Sequence, residues 1–240
     1  MILSNDKFWR PSCDSEYLYT RDEHDNTNNK FVFKIKKGVP GKSPGDDLPA
    51  YDPEGNLLYN FKERCEATSS SIVEGDYIWS GDIRIEADQI EGNSNCMWQL
   101  HWEDGHEEPE NYIKLVINEH KEFRIEPRDI PDVKATNLFN LRVEIKYRKD
   151  FINVDFYIDN KYLASTRKLI TSPPYFKFGV YTLESKCDIT HIFHNVKVEY
   201  QPVNKEEVAE VPLPLYPYVD KNGIESYVTE SYIKKGEPIT

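Results

Sequence analysis

The sequence predicts an all-β fold of short antiparallel strands, and three observations predict it. Segments that alternate apolar and polar residues recur from residue 30 to 200, with turn residues between them. Aromatic residues make up 13% of the chain, with 16 Tyr, 11 Phe and 4 Trp, a composition that suits pleated, half-buried surfaces. No stretch before residue 200 carries the period of an amphipathic helix. Strands at this spacing make a sandwich or a barrel, and 240 residues suffice for one such domain.

Residues 1–29 read as an irregular N-terminal segment, polar and ending in the charged, Asn-rich run from Arg21 to Asn29. Lys30 to Lys36 then alternates with period two and reads as the first strand. Residues 38–56, with Gly38, Pro40, Gly41, Pro44, Gly45, Pro49, Pro53 and Gly55, read as a long surface loop. Further on, Tyr77, Trp79, Gly81, Ile83 and Ile85 share one face of a strand, and Cys96, Trp98, Leu100 and Trp102 one face of the next. Strand runs follow at Tyr112 to Ile117, Phe123 to Ile125, Phe139 to Tyr147, Ile152 to Ile158, Tyr162 to Thr166, Tyr175 to Tyr181 and Ile189 to Tyr200. Asp159-Asn160 reads as a tight hairpin turn between two of them. Residues 201–240 form a Pro-rich C-terminal arm, in which Val211, Leu213, Leu215, Tyr216 and Tyr218 are the apolar groups that would dock on a protein partner.

Charge narrows the partners. Against 30 Lys+Arg stand 42 Asp+Glu, a net charge of −12 with no basic block, so neither nucleic acid nor an acidic membrane is an expected partner. Mean hydropathy is −0.70, and no apolar run approaches the roughly 20 residues of a membrane helix. The start, Met1 to Lys7, lacks the pattern of a secretory signal. The expected place of action is therefore a virus particle, or the cytoplasm until lysis. Cys13, Cys65, Cys96 and Cys187 stand far apart and read as ordinary buried thiols, with no metal site among them.

Three strands place chemically able side chains on one face. Arg64 and Glu66 flank Cys65; Gln99 and His101 flank Leu100, which faces the core; and Tyr175, Lys177 and Tyr181 alternate with Phe176, Phe178 and Val180. Taken singly, each has a plainer reading: an exposed ion pair, a hydrogen-bonded histidine, a packed tyrosine. Side by side, the three strands make a groove lined by Arg, Gln, His, Lys and Tyr. The acidic run Glu103 to Glu108 reads as a solvated hairpin loop, and His191 and His194, which do not share a strand face, receive no role.

In order and spacing, Glu63-Arg64-Cys65-Glu66-Ala67, Trp98-Gln99-Leu100-His101 and Tyr175-Phe176-Lys177-Phe178-Gly179-Val180-Tyr181 resemble the three signatures of the jelly-roll polysaccharide lyases. That group holds alginate lyases, glucuronan lyases and heparin-lyase-I-like enzymes. The resemblance spans roughly residues 30–200 and implies a concanavalin-like jelly-roll sandwich of two antiparallel sheets. It also implies β-elimination on a uronic-acid polymer without a metal or other cofactor. Arg64 and Gln99 would neutralise the sugar carboxylate, His101 and Tyr181 would act as base and acid, and Lys177, Tyr175 and Glu66 would bind the anionic polysaccharide. One departure is plain: Thr182-Leu183 follows the last tyrosine, where many alginate lyases carry Asn-Gln. The alternative expectation is a non-catalytic carbohydrate-binding or structural subunit on a lyase-like fold.

Overall fold

Alternation in the sequence becomes alternation in burial. Along Leu138–Arg148, Phe139, Leu141, Val143, Ile145 and Tyr147 are buried while their neighbours face outward, and Phe151–Ile158 repeats the pattern. The computed structural model describes residues 9–11, 30–41, 46–87, 95–102, 112–118, 120–126, 133–203, 216–219 and 225–228. In chain order the strands are β1 (Trp9–Pro11), β2 (Lys30–Ile35), β3 (Ala50–Tyr51), β4 (Leu57–Tyr59), β5 (Lys62–Ser69), β6 (Gly75–Ala87), β7 (Asn95–His101) and β8 (Tyr112–Ile117). They continue as β9 (Phe123–Glu126), β10 (Leu138–Arg148), β11 (Phe151–Ile158), β12 (Lys161–Leu169), β13 (Tyr175–Leu183), β14 (Ile189–Gln201), β15 (Tyr216–Val219) and β16 (Glu225–Val228). Among the described residues there is no helix, and hence none that could cross a membrane.

Two six-stranded antiparallel sheets carry the fold, ordered β1-β5-β13-β7-β8-β9 and β12-β11-β10-β6-β14-β2. Their inner faces meet in an aromatic core. The Phe178 ring of the first sheet lies 5.3 Å from Phe33, 5.0 Å from Phe193 and 5.7 Å from Trp79 of the second, all edge-on. Trp98 meets Phe156 across the same gap at 5.5 Å. Such edge-to-face pairs add about 1 kcal/mol each to the area they bury. At Asp159 and Asn160, φ values of 49° and 62° match the tight turn expected between β11 and β12. By compactness the chain divides into residues Met1–Pro202 and Val203–Thr240, the second containing the β15–β16 hairpin.

Several local expectations need correction. The segment read as irregular contributes β1, which pairs with the end of β5 and buries Trp9 against Phe176 and Phe178. The long loop contains β3, which forms a small hairpin with β4 just beyond it, and a buried Asp46. Cys96 does not share the core face of Trp98, Leu100 and Trp102. The ladder to β8 steps from Cys96–Val116 to Trp98–Leu115, and this bulge leaves Met97 with Trp98 in the core and turns Cys96 to the opposite side. Nor are the cysteines uniformly buried thiols: Cys65 is disulfide-bonded with its partner outside the described residues, Cys187 is half-exposed, and Cys96 is a buried free thiol. Cys13, the Glu103 to Glu108 run and the apolar residues Val211, Leu213 and Leu215 lie outside the described residues.

Candidate active site

Strands β5, β13 and β7 are neighbours in that order, so the three sequence patterns lie side by side. Register does the rest. Tyr181 stands opposite Arg64, Lys177 opposite Gln99, and Tyr175 opposite His101. Opposed residues of adjacent strands hold their Cβ atoms about 5 Å apart. The structure therefore brings Arg64, Glu66, Gln99, His101, Tyr175, Lys177 and Tyr181 onto one face of one sheet. The intervening Cys65, Leu100, Phe176, Phe178 and Val180 are all fully buried beneath them.

Within the cluster the acids lie low and the cations ride above them. Glu66 is only 1% exposed; the Gln99 amide donates to its Oε1, and Arg64 Nε lies 3.9 Å from its Oε2. The other side of the Arg64 guanidinium meets Asp46, itself 1% exposed, at 3.0 Å. Arg64 also stacks 5.0 Å from the centre of the Tyr181 ring, while Lys177 lies 5.5 Å from Tyr175, whose ring is 5.2 Å from that of His101. The upward-facing chemistry is thus cationic and aromatic, on a body whose net charge is −12.

Burial tunes the titrating groups. It raises the Glu66 carboxyl above its ordinary value, against the pull of Lys177, Arg64 and the Gln99 hydrogen bond. Lys177 is lowered by the same burial, against the attraction of Glu66. For His101, burial followed by Lys177, Arg64 and Lys114 brings the imidazole down to about 4. The Tyr181 phenol is raised by burial, with Arg64 opposing. At neutral pH the site thus presents an unprotonated imidazole and a neutral phenol. The Nδ1 atom of His101 is buried without a hydrogen-bond partner among the described residues.

Sequence reasoning missed four groups here. Lys114 of β8 sits opposite Gln99, salt-bridged to Glu126 at 3.2 Å, with its Nζ 3.8 Å from the Tyr112 ring and 5.9 Å from that of Tyr181. Tyr112 and Lys114 share a strand face, and that period-two signal was available. Asp46 left no signal, because it projects from an irregular loop. Cys96, brought next to Tyr181 by the bulges, depends on a register shift that residue types do not encode. His191 bonds to the Gly179 carbonyl from the opposite sheet, a meeting set by tertiary structure alone.

No family model and no curated protein matches the sequence. Solved structures do. An alginate lyase of polysaccharide lyase family 7, AlgAT5, is similar at a TM-score of 0.51 and 13% identity, covering 81% of this chain and 95% of that one. The alginate lyase AlyC3, in complex with dimannuronate, is similar at a TM-score of 0.50 and 11% identity, covering 82% and 91%. The chain has the jelly-roll fold of these polysaccharide lyases, and the likeness is one of fold.

Proposed function

We propose that the protein is a polysaccharide lyase that cleaves a uronic-acid-containing polymer by β-elimination. The observation that carries this reading is the placement of His101 and Tyr181 on one sheet face with Arg64, Gln99 and Lys177. The fold shared with alginate lyases supports it, and the dimannuronate held by AlyC3 supports an anionic polysaccharide as substrate.

In this reading Arg64 and Gln99 face the uronate carboxylate. Neutralising it lowers the cost of the carbanion that develops at C5. His101 takes the C5 proton, the electron pair left there forms the C4–C5 double bond, and the C4–O4 bond breaks. Tyr181 gives its proton to the departing O4 oxygen. Lys177 and Tyr175 hold neighbouring sugar units. Glu66, at 1% exposure, acts through Gln99 and Arg64 by fixing the amide and the guanidinium in place. At neutral pH His101 is available as the base, because burial and the neighbouring cations hold its imidazole unprotonated, down at about 4.

Incubation with glucuronan, alginate, heparosan and hyaluronan tests the proposal. Unsaturated uronate ends, read by their ultraviolet absorbance, are the expected product on at least one polymer. A folded protein that binds one of them without producing such ends would instead be a carbohydrate-binding module on a lyase-like fold. Silence with no binding contradicts both.

A further inference from the structure

The backbone between Lys177 and Tyr181 is not a regular strand. Against β7 the ladder passes from Phe178–Trp98 directly to Tyr181–Cys96, so Gly179 and Val180 together oppose the single residue Met97. On the β5 side the pairing continues unbroken, with Gly179 opposite Glu66. Gly179 has φ of 148°, and a Cβ on it would stand 2.3 Å from the Cys65 carbonyl oxygen. No other residue fits this bulge.

A bulge leaves backbone groups that need partners elsewhere, and a buried carbonyl without one costs about 1–3 kcal/mol. The Gly179 oxygen lies 2.7 Å from Nδ1 of His191, a fully buried residue of β14 in the opposite sheet. A carbonyl only accepts, so Nδ1 carries the hydrogen and the tautomer is fixed. Nε2 is then bare, and it is buried with no partner among the described residues. Protonating it would place a second N–H where nothing receives it, in line with the lowering of this imidazole by burial to about 4.

We propose that His191 is a positioning residue for the groove. Through Gly179 it pins the β13 bulge at the one place that sets Tyr181 opposite Arg64 and Cys96 while Lys177 stays opposite Gln99. A bulge that migrates by one residue turns the residue it passes to the other face. Tyr181 directly follows the bulge and Lys177 precedes it, so a bulge that slips toward the C-terminus turns the proton donor over and leaves Lys177 opposite Gln99. The kinetic consequence rests on the lyase reading; the structural one does not.

The test has two independent arms. In nitrogen-15 NMR of the full chain, His191 is expected as the Nδ1–H tautomer with a slowly exchanging proton. In His191→Phe, which keeps a ring but donates nothing, the Tyr181 phenol (assigned by its loss in Tyr181→Phe) is expected to titrate nearer the ordinary tyrosine value. In the second arm, lyase turnover by His191→Phe is expected to fall about 10–100-fold in kcat with KM changed less than about threefold, the scale of a small misplacement of a reacting group. His191→Asn, which restores an N–H donor, should recover part of that loss, and His191→Leu takes the place of His191→Phe if the latter does not fold. An Nε2–H tautomer, or variants that melt earlier yet keep kcat and the Tyr181 titration, would reduce His191 to a packing residue. If the wild type is no lyase, the NMR and titration arms decide alone.

Discussion

Arg64-Cys65-Glu66 on β5 and Arg142-Val143-Glu144 on β10 spell the same pattern in the two sheets, and they end in opposite circumstances. On β10 the pair is 38% and 30% exposed and closes on itself, with Arg142 stacked on Tyr157. On β5 the side chains are 18% and 2% exposed, and neither is spent on the other alone: Arg64 reaches Asp46 and Tyr181, and Glu66 receives Gln99. Arg84-Ile85-Glu86 on β6 repeats the exposed version, at 59% and 46%. An Arg-x-Glu strand is therefore no site by itself. What makes one is the pair of neighbouring strands, whose polar residues occupy the same face and exclude enough water for charges to act on one another.

The largest expected difference between the sheets is in turnover. His101→Ala or Tyr181→Phe removes the proposed base or acid and should lower kcat by about 100-fold or more, whereas Tyr157→Phe on the outer face of the other sheet should leave it unchanged. Stability should part the sheets as well. Arg64→Ala takes a cation from two carboxylates of 1% exposure and is expected to cost about 3 kcal/mol in urea unfolding. Arg142→Ala, at an exposed pair, should cost about 0.5 kcal/mol or less, and equal losses would erase the distinction drawn between the two motifs.

Backbone carries the same contrast. Gly179→Ala meets both a positive φ and a carbonyl oxygen at 2.3 Å, and should cost about 3 kcal/mol. Gly81→Ala in the other sheet meets nothing closer than 3.2 Å and should cost about 1 kcal/mol, by the same unfolding measurement.

Acid should act gradually. His101 and His191 both sit at about 4 in the folded protein, below the ordinary 6.5, so between those values the unfolded chain binds more protons. Their contribution is fully present above pH 6.5 and is lost as the pH falls through 4, about 3 kcal/mol for the fully buried His191. Glu66, whose folded value is raised, works in the opposite sense: its contribution is present below its unfolded value and is lost as the pH rises through the folded one. Unfolding free energy followed from pH 7 to 4 should show the histidine slope, reduced in His191→Phe.

Most strands were legible in the sequence to within a few residues, because each half-buried strand writes its two faces into alternate positions. Leu141, Val143 and Ile145 against Arg142, Glu144 and Lys146 is such a record. The shared face of Arg64, Glu66, Gln99, His101, Tyr175, Lys177 and Tyr181 was legible for the same reason. The rest was not, and the causes are specific. Trp9 lies on β1, a strand of three residues, too short to show a period. The bulges that turn Cys96 to the groove side and free the Gly179 carbonyl are register shifts between strands, and a single strand's residue types do not record its partner's alignment. Asp46 and His191 reach the site from a loop and from the opposite sheet, over sequence separations that no local pattern spans.

The most direct test of the central claim is the mass of the oligosaccharides released from a polyuronate by wild-type protein, with Tyr181→Phe alongside. The account predicts new non-reducing ends lighter by one water than hydrolysis would give, and their loss in the variant. Ends carrying the full mass of hydrolysis, or elimination that persists without the Tyr181 hydroxyl, would contradict it.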